Sequence, residues 1–257
     1  MDNSVIFFLT ERQICRIFNR RMKSDILKCE DDGLLFLETG HWAQDKYRLF
    51  AYYLRMFSTG MKRKWDKRVY IDLFSGPGCV KIRRSQRYLR GSPLLALALK
   101  DPFDKYIFCE EKKSSVDALR RRVQNYCPAA DISIIHGDCN EKIDEIVHSI
   151  PKPSVSQKVL SFCFVDPPDI GIHFDTIRTL ATARFVDFLI LFALGMDVKR
   201  NIPNYMKRTS KKIDLFLGMN DWRERWSEYS KTDNNLPRFI INQFENFLFA
   251  PIIIKSI

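Results

Sequence analysis

The 257 residues carry a formal net charge of +11, and 46% of them are apolar, with 20 phenylalanines among them. That composition excludes a disordered chain and supports one domain of good size, or one domain with an appendage, around an aromatic-rich core. No apolar run reaches the roughly 18 residues of a membrane span, and the N-terminus lacks the basic region and small-residue cleavage site of a secretion signal.

The seven cysteines (15, 29, 79, 109, 127, 139, 163) are scattered and form no C-x-x-C pair. They read as a reduced, cytoplasmic pattern. The four histidines are isolated, so no metal site is expected. The charge is uneven and suggests a polyanionic partner. Residues 61–90 hold ten Lys/Arg against Asp66 and Asp72, and residues 197–212 hold six against Asp197.

In chain order, residues 1–40 read as a helical N-terminal extension. "FFLTERQICRIFNRRMKSDIL" places Phe8, Ile14, Cys15, Ile17 and Phe18 at helical intervals against a basic face. The main domain is expected over 41–257. It opens with a helix in which Trp42, Tyr47, Leu49, Phe50, Tyr53, Leu54 and Phe57 share one stripe, with Gly60 as its stop. "RVYIDLF" is then the first strand of an alternation, and "SPLLALALK" a helix started by Ser92 and Pro93. "KYIFCEE", "DISIIHGDC", "VLSFCFVDPP" and "RFVDFLILFAL" follow as strands two to five, with helices between them. Strand and helix alternating through short connections predict a mostly parallel α/β sheet with helices on both faces.

In such a sheet, ligands bind beyond the carboxyl ends of the strands. Strand one runs into Asp72, Leu73, Phe74 and the turn Ser75-Gly76-Pro77-Gly78. Strand two ends in Glu110 and Glu111, strand three in Gly137-Asp138-Cys139, strand four in Asp166-Pro167-Pro168. Four acidic strand ends suit a ligand with a cationic centre, an amine, a ribose and an adenine, which is S-adenosylmethionine. Gly76 and Gly78 let the backbone approach its methionine part. Asp72 orients the loop and receives the amino group, directly or through water. Glu110 accepts from the ribose hydroxyls. Asp138 accepts from the adenine amine, and Cys139 offers its backbone N–H. Taken singly, each residue has a plainer reading: a tight turn for the glycines, a solvated acid for Glu110, a turn residue before a helix for Asp138. A dinucleotide site fits less well, because thirteen residues separate Gly78 from the helix at Ser92.

The succession "HWAQDKYRLFAYYL", "YIDLFSGPG", "GSPLLAL", "FCEE", "FVDPP", "DFLILFALGMDVKRN" and "LGMNDW" resembles the three-Cys-motif partner proteins. These are similar to class I S-adenosylmethionine-dependent methyltransferases. The resemblance covers roughly residues 41–225. It implies the methyltransferase sheet with an antiparallel seventh strand, and a separate protein partner carrying the three-Cys motif. The C-terminal "FLFAPIIIKSI" would supply one of the last strands and leave the final hairpin incomplete. Methyltransferases that act on base amines of nucleic acids use D/N-P-P followed by a stacking aromatic. Here Asp166, Pro167 and Pro168 fit, whereas Asp169 stands where the aromatic is expected; Phe174 or a residue of the opening segment is the replacement considered. Trp42 and Lys46 lie on the helix that often covers the cofactor in such folds. Arg83, Arg84 and Arg87, with Lys199 and Arg200 after strand five, are candidate phosphate contacts on RNA or DNA. Two functions follow: a methyltransferase acting on nucleic acid, or a methyltransferase-shaped module that binds cofactor or nucleic acid beside a partner without methylating.

Overall fold

The computed structural model describes residues 6–9, 24–191 and 197–249. Contacts divide the chain into two compact units, Met1–Asp166 with Arg178–Leu191, and Pro167–Ile177 with Phe192–Ile257.

The first unit is built on a six-stranded sheet. Its strands are β1 (Ile6–Leu9), β4 (Lys67–Asp72), β7 (Lys105–Glu110), β8 (Ile132–His136), β9 (Val159–Val165) and β10 (Val186–Leu191), in the order β1-β10-β9-β4-β7-β8. Every pairing is parallel. The order β8-β7-β4-β9-β10 is a doubly wound, Rossmann-like arrangement, and the mostly parallel sheet is the one anticipated from the alternation. All seven residues of β9, "VLSFCFV", are buried, as expected of a central parallel strand covered on both faces. From β4 the chain winds outward to β7 and β8, then returns to the other side for β9 and β10. The winding therefore reverses between β4 and β9, and the crevice at their carboxyl ends is the expected ligand position.

Helix α1 (Trp42–Met61) buries Tyr47, Phe50, Leu54 and Phe57. These rings meet the sheet's aromatics: Phe50 lies 4.3 Å from Phe164 and Phe57 lies 4.8 Å from Phe162 between centroids. Tyr70 sits at the centre of the cluster, stacked on Phe162 at 6.2 Å and edge-on to Phe108 at 6.1 Å. Five residues separate α1 from β4, so the Met61 end of the helix lies near the start of that strand. A 20-residue helix spans about 30 Å, longer than the six-residue strand it covers. Trp42 is thereby returned to the carboxyl edge of the sheet. The remaining helices of this unit are α2 (Ser92–Leu97), α3 (Lys113–Tyr126) and α4 (Ile143–Ser149). Helix α5 (Phe174–Ala183) joins the two units through the chain and leads into β10.

Three expectations need correction. The opening segment is not helical where it is described: Ile6–Leu9 is β1, and Ser24–Leu27 is one 3-10 turn followed by β2 (Lys28–Cys29) and β3 (Leu37–Thr39). The run Ile6-Phe7-Phe8-Leu9 is apolar throughout, and periodicity cannot separate a short strand from a helix in such a run. Ile14, Cys15, Ile17 and Phe18 lie outside the described residues. Second, the place beside β10 is taken by β1, running parallel, and not by an antiparallel strand from the C-terminus. Of "FLFAPIIIKSI", the first residues end a helix, and 250–257 lie outside the described residues.

Third, the cysteines are not all reduced, and the thirteen residues after Gly78 take part in the exception. They form the hairpin β5 (Cys79–Ile82) and β6 (Tyr88–Arg90), which joins β2 and β3 in a second sheet of order β2-β6-β5-β3. Cys29 and Cys79 meet there as a disulfide, Cα atoms 6.7 Å apart, against the expectation of free thiols throughout. The two lie 50 positions apart. Pairing of β2 with β6, and of β6 with β5, brings them together, and no sequence spacing announces it. Cys109, Cys127, Cys139 and Cys163 remain free. No helix among the described residues is long and apolar enough to cross a membrane.

The second unit contains α6 (Asp197–Tyr205), α7 (Lys212–Leu217), α8 (Trp222–Tyr229) and α9 (Leu236–Phe249). Helix α7 ends at Gly218 in the left-handed region. Phe244 packs on Phe216 and Phe174, with centroids 4.9 and 5.6 Å away. Trp222 is buried and donates from Nε1 to Asp214 Oδ1 at 2.7 Å. Trp226 packs on Phe239, so both tryptophans of "DWRERW" serve the core.

Candidate active site

Asp72 closes β4 with its side chain fully buried. Tyr70 donates its hydroxyl to Oδ2 at 2.9 Å, and the Phe74 N–H reaches Oδ1 at 3.3 Å. Burial pushes the carboxyl up to about 7, against hydrogen bonds from Ser92, Tyr70 and Phe74 that favour its charged form.

The glycine turn is tied to β7. Ser75 donates both its backbone N–H and its hydroxyl to the Cys109 carbonyl, each at 3.0 Å. Gly76 N–H donates to Glu110 Oε2 at 2.8 Å, and Lys112 N–H to Oε1 at 2.9 Å. A carboxylate oxygen accepts more than one hydrogen bond, so Glu110 keeps capacity for hydroxyl donors. Glu111 points outward and is exposed. Gly76 has φ +61 and faces open space where a Cβ would stand. Gly78 differs: at φ +89, a Cβ would come within 3.0 Å of Leu119. Gly76 therefore leaves a cradle, and Gly78 serves packing. The Pro77 carbonyl accepts from Arg122 at 2.6 Å. That guanidinium also bonds both Asp32 oxygens and the Leu35 carbonyl, fastening residues 32–35 to the turn.

Asp138 is hydrogen-bonded within its own turn. Its Oδ1 accepts from Asn140 N–H at 2.8 Å and from Asn140 Nδ2 at 2.9 Å, a turn leading into α4. Cys139 is buried, and burial raises its thiol far above the ordinary range.

Asp166 follows β9 directly, across the crevice from Asp72. Lys46 of α1 donates to Asp166 Oδ2 at 2.6 Å and lies against the rings of Trp42 and Tyr47, 4.8 and 4.7 Å from their centroids. Burial works against the lysine's charge, yet Asp166, Tyr47 and Asp72 outweigh it and hold Lys46 protonated beyond its ordinary range. Among the sequence-singled residues, Lys46 gains most from the structure: one ammonium sits within the field of both strand-end aspartates.

Pro167 and Pro168 begin the second unit. Asp169 is paired with Lys212 at 3.0 Å. Phe174 is buried against Phe244, so it is not the exposed stacking ring considered from sequence.

The first basic cluster divides by use. Arg68 is buried and donates to Ser58 and to the Pro102 carbonyl, Lys62 pairs with Asp101, and Arg90 donates to the Ile26 carbonyl. Arg83, Arg84 and Arg87 are exposed in the β5–β6 turn, with Arg84 in the left-handed region at φ 57. Lys199 and Arg200 fall in α6, and their side chains lie outside the described residues.

No family model and no curated protein matches the chain. The resemblance to three-Cys-motif partner proteins is therefore not reproduced by these comparisons. Among solved structures, the chain is similar to a Legionella pneumophila protein of the DUF519 family model, at 13% identity and TM-score 0.36, over 53% of this chain and 64% of that one. A provisionally assigned methylase of Haemophilus influenzae matches at 16% identity and TM-score 0.32, over 52% and 64%. A provisionally assigned S-adenosylmethionine-dependent methyltransferase of Methanococcus maripaludis matches at 17% identity and TM-score 0.32, over 77% and 76%. The chain spans 64% of the length of the first two. Likeness of this degree carries no functional argument, and the strand order itself supports the fold class.

Proposed function

We propose that the chain is an S-adenosylmethionine-dependent methyltransferase acting on an amine of a nucleic-acid base. One observation carries the reading. The winding of the sheet reverses between β4 and β9, and at that crevice stand Asp72 and Asp166 with the Lys46 ammonium beside Asp166, next to a glycine turn whose Gly76 faces open space.

The residues present fit the cofactor. Asp72 is placed for an ammonium, Gly76 for close approach of the methionine part, and Glu110 for the ribose hydroxyls. Asp138 and Cys139 are assigned to the adenine. The bound cofactor would supply an electrophilic methyl carbon on sulfur. Asp166 accepts a hydrogen bond from the substrate amine and directs its lone pair. Lys46 occupies one oxygen of the carboxylate and leaves the other for that amine. Asp166, Pro167 and Pro168 together make the turn assigned to the substrate amine. Arg83, Arg84 and Arg87, with Lys199 and Arg200, are assigned to phosphates.

Calorimetry with S-adenosylmethionine and its demethylated product tests the cofactor. Folded protein that binds neither removes the reading. Affinity for single-stranded RNA or DNA should fall steeply with salt, with a log–log slope of about −0.7 per phosphate contacted. Replacing Arg83, Arg84 and Arg87 should flatten that slope, and a slope unchanged by it refutes the phosphate assignment. The second reading, a binding module beside a protein partner, is favoured by Asp169: it is spent on Lys212 where a stacking ring is expected. Cofactor binding without methyl transfer to any nucleic acid would decide for it.

A further inference from the structure

We infer that Trp42 is the platform on which an unpaired, planar base stacks beside Asp166, replacing the aromatic missing after Pro168. The inference rests on the methyltransferase reading for its placement, and it names the substrate as a base out of its helix.

A base amine held at Asp166 needs a flat surface to fix the ring. Asp169 is charged and paired, and Phe174 is in the core of the second unit. Among the described residues, the exposed aromatics are Trp42, Tyr126 and Phe185. Phe185 immediately precedes β10, so it lies at the opposite edge of the sheet from Asp166. Tyr126 ends α3, which runs back from the carboxyl end of β7 and likewise finishes at the far edge. Phe74 is only half-buried but belongs to the glycine turn. Trp42 begins α1 at the carboxyl edge, is 43% exposed, and shares the Lys46 ammonium with Asp166.

One contact holds the ring, and one missing side chain leaves room for it. Lys46 lies over it, a cation–π contact. On the other count, a Cβ at Gly40 would stand 2.8 Å from Trp42 Cδ1 and Nε1, so only glycine there lets the indole lie as it does. A large apolar ring kept at the surface by a cation and a missing side chain, next to the amine-directing carboxylate, is arranged for another flat ring.

The test is fluorescence anisotropy with a labelled single-stranded oligonucleotide of mixed sequence, as RNA and as DNA, and with the same strand made abasic. Trp42→Ala should weaken binding of the base-bearing strand roughly 5- to 150-fold, the worth of one stacked base. Trp42→Phe should restore most of it, and the abasic strand should bind wild type and Trp42→Ala alike. Gly40→Val, which displaces the ring without removing it, should reproduce the loss. An unchanged affinity for Trp42→Ala, an equal loss on the abasic strand, no rescue by Phe, or no binding of either strand by wild type overturns the inference. Calorimetry with S-adenosylmethionine separates the two failures: wild type that ignores the cofactor yet shows the Trp42 effect retires the methyltransferase reading and keeps the platform.

Discussion

Asp72→Asn should remove a large pH dependence from the stability of the protein. The Asp72 carboxyl ordinarily titrates at 3.8 and is pushed up to about 7 by burial. Folded protein therefore binds a proton that unfolded protein has released across that interval. Stability conferred by the proton is complete below about 3.8 and is lost as pH rises through about 7. At about 1.4 kcal/mol per pH unit, the wild type loses on the order of 4 kcal/mol across the interval. Asparagine does not ionise, so the variant lacks this loss. It also has only one acceptor oxygen for Tyr70, Ser92 and Phe74, which costs about 1 kcal/mol or more at all pH values. With a cost of about 1 kcal/mol the curves should cross at about pH 4.5, and the variant's advantage should grow by about 2.5 kcal/mol between pH 5 and pH 8. Urea unfolding of both proteins at about four pH values between 5 and 8 gives the difference directly. Parallel curves would refute the argument, because they would mean that Asp72 is ionised at pH 5 in the folded protein.

The same carboxyl predicts that S-adenosylmethionine binding takes up a charged Asp72. Affinity should then fall up to about tenfold per pH unit below about 7, with proton release seen as buffer-dependent heat; an affinity flat from pH 5 to 8 rejects it. Glu110→Ala should weaken the cofactor by roughly tenfold or more, since charge-assisted hydrogen bonds contribute about 1.5–3 kcal/mol, and exposed Glu111→Ala should do far less; equal effects in calorimetry would undo the ribose assignment. Gly76→Val should keep a folded chain, destabilised by about 1–2 kcal/mol for the left-handed backbone, and abolish cofactor binding; a variant that binds normally leaves the glycine a turn residue only. Peptide mapping without reductant should recover a Cys29–Cys79 linked pair, and Cys29→Ser should lower stability by about 4 kcal/mol for a loop of 50 residues; finding both thiols free in air-equilibrated protein would contradict the pairing.

The central sheet was legible because its signals are local. "RVYID", "KYIFCE" and "VLSFCFV" are short β-rich runs, each followed by a turn and a helix, and the rule that ligands sit at carboxyl ends turned that alternation into a list of acids. Asp72, Glu110 and Asp166 stand where the list put them. What failed was non-local. The run "IFFL" carries no periodicity that separates strand from helix, and its partner Phe188 lies far along the chain. Cys29 and Cys79 meet only after three strands have paired. Asp138 had two readings because an acid before a helix satisfies backbone N–H groups as readily as a ligand. Local charge count at 61–90 includes Arg68, which is consumed inside the fold, and nothing in its neighbours says so. A lysine four residues after Trp42 on one helix was visible as a pair, but its carboxylate partner was 120 positions away.

The edge strand β1 also sets an order of events during synthesis. Ile6 pairs with Phe188, so among the described strands of this sheet the earliest in the chain waits for the latest. At about 5–20 residues per second, roughly 10–40 s pass before β10 exists to receive it. Over that time four apolar residues with unpaired backbone must stay apart from other chains, since such a segment is a template for misassembly. The pairing also closes a long stretch of chain, which makes it a slow, late step. A ribosome-bound fragment ending before β10 therefore presents a nearly complete sheet core and an unengaged β1.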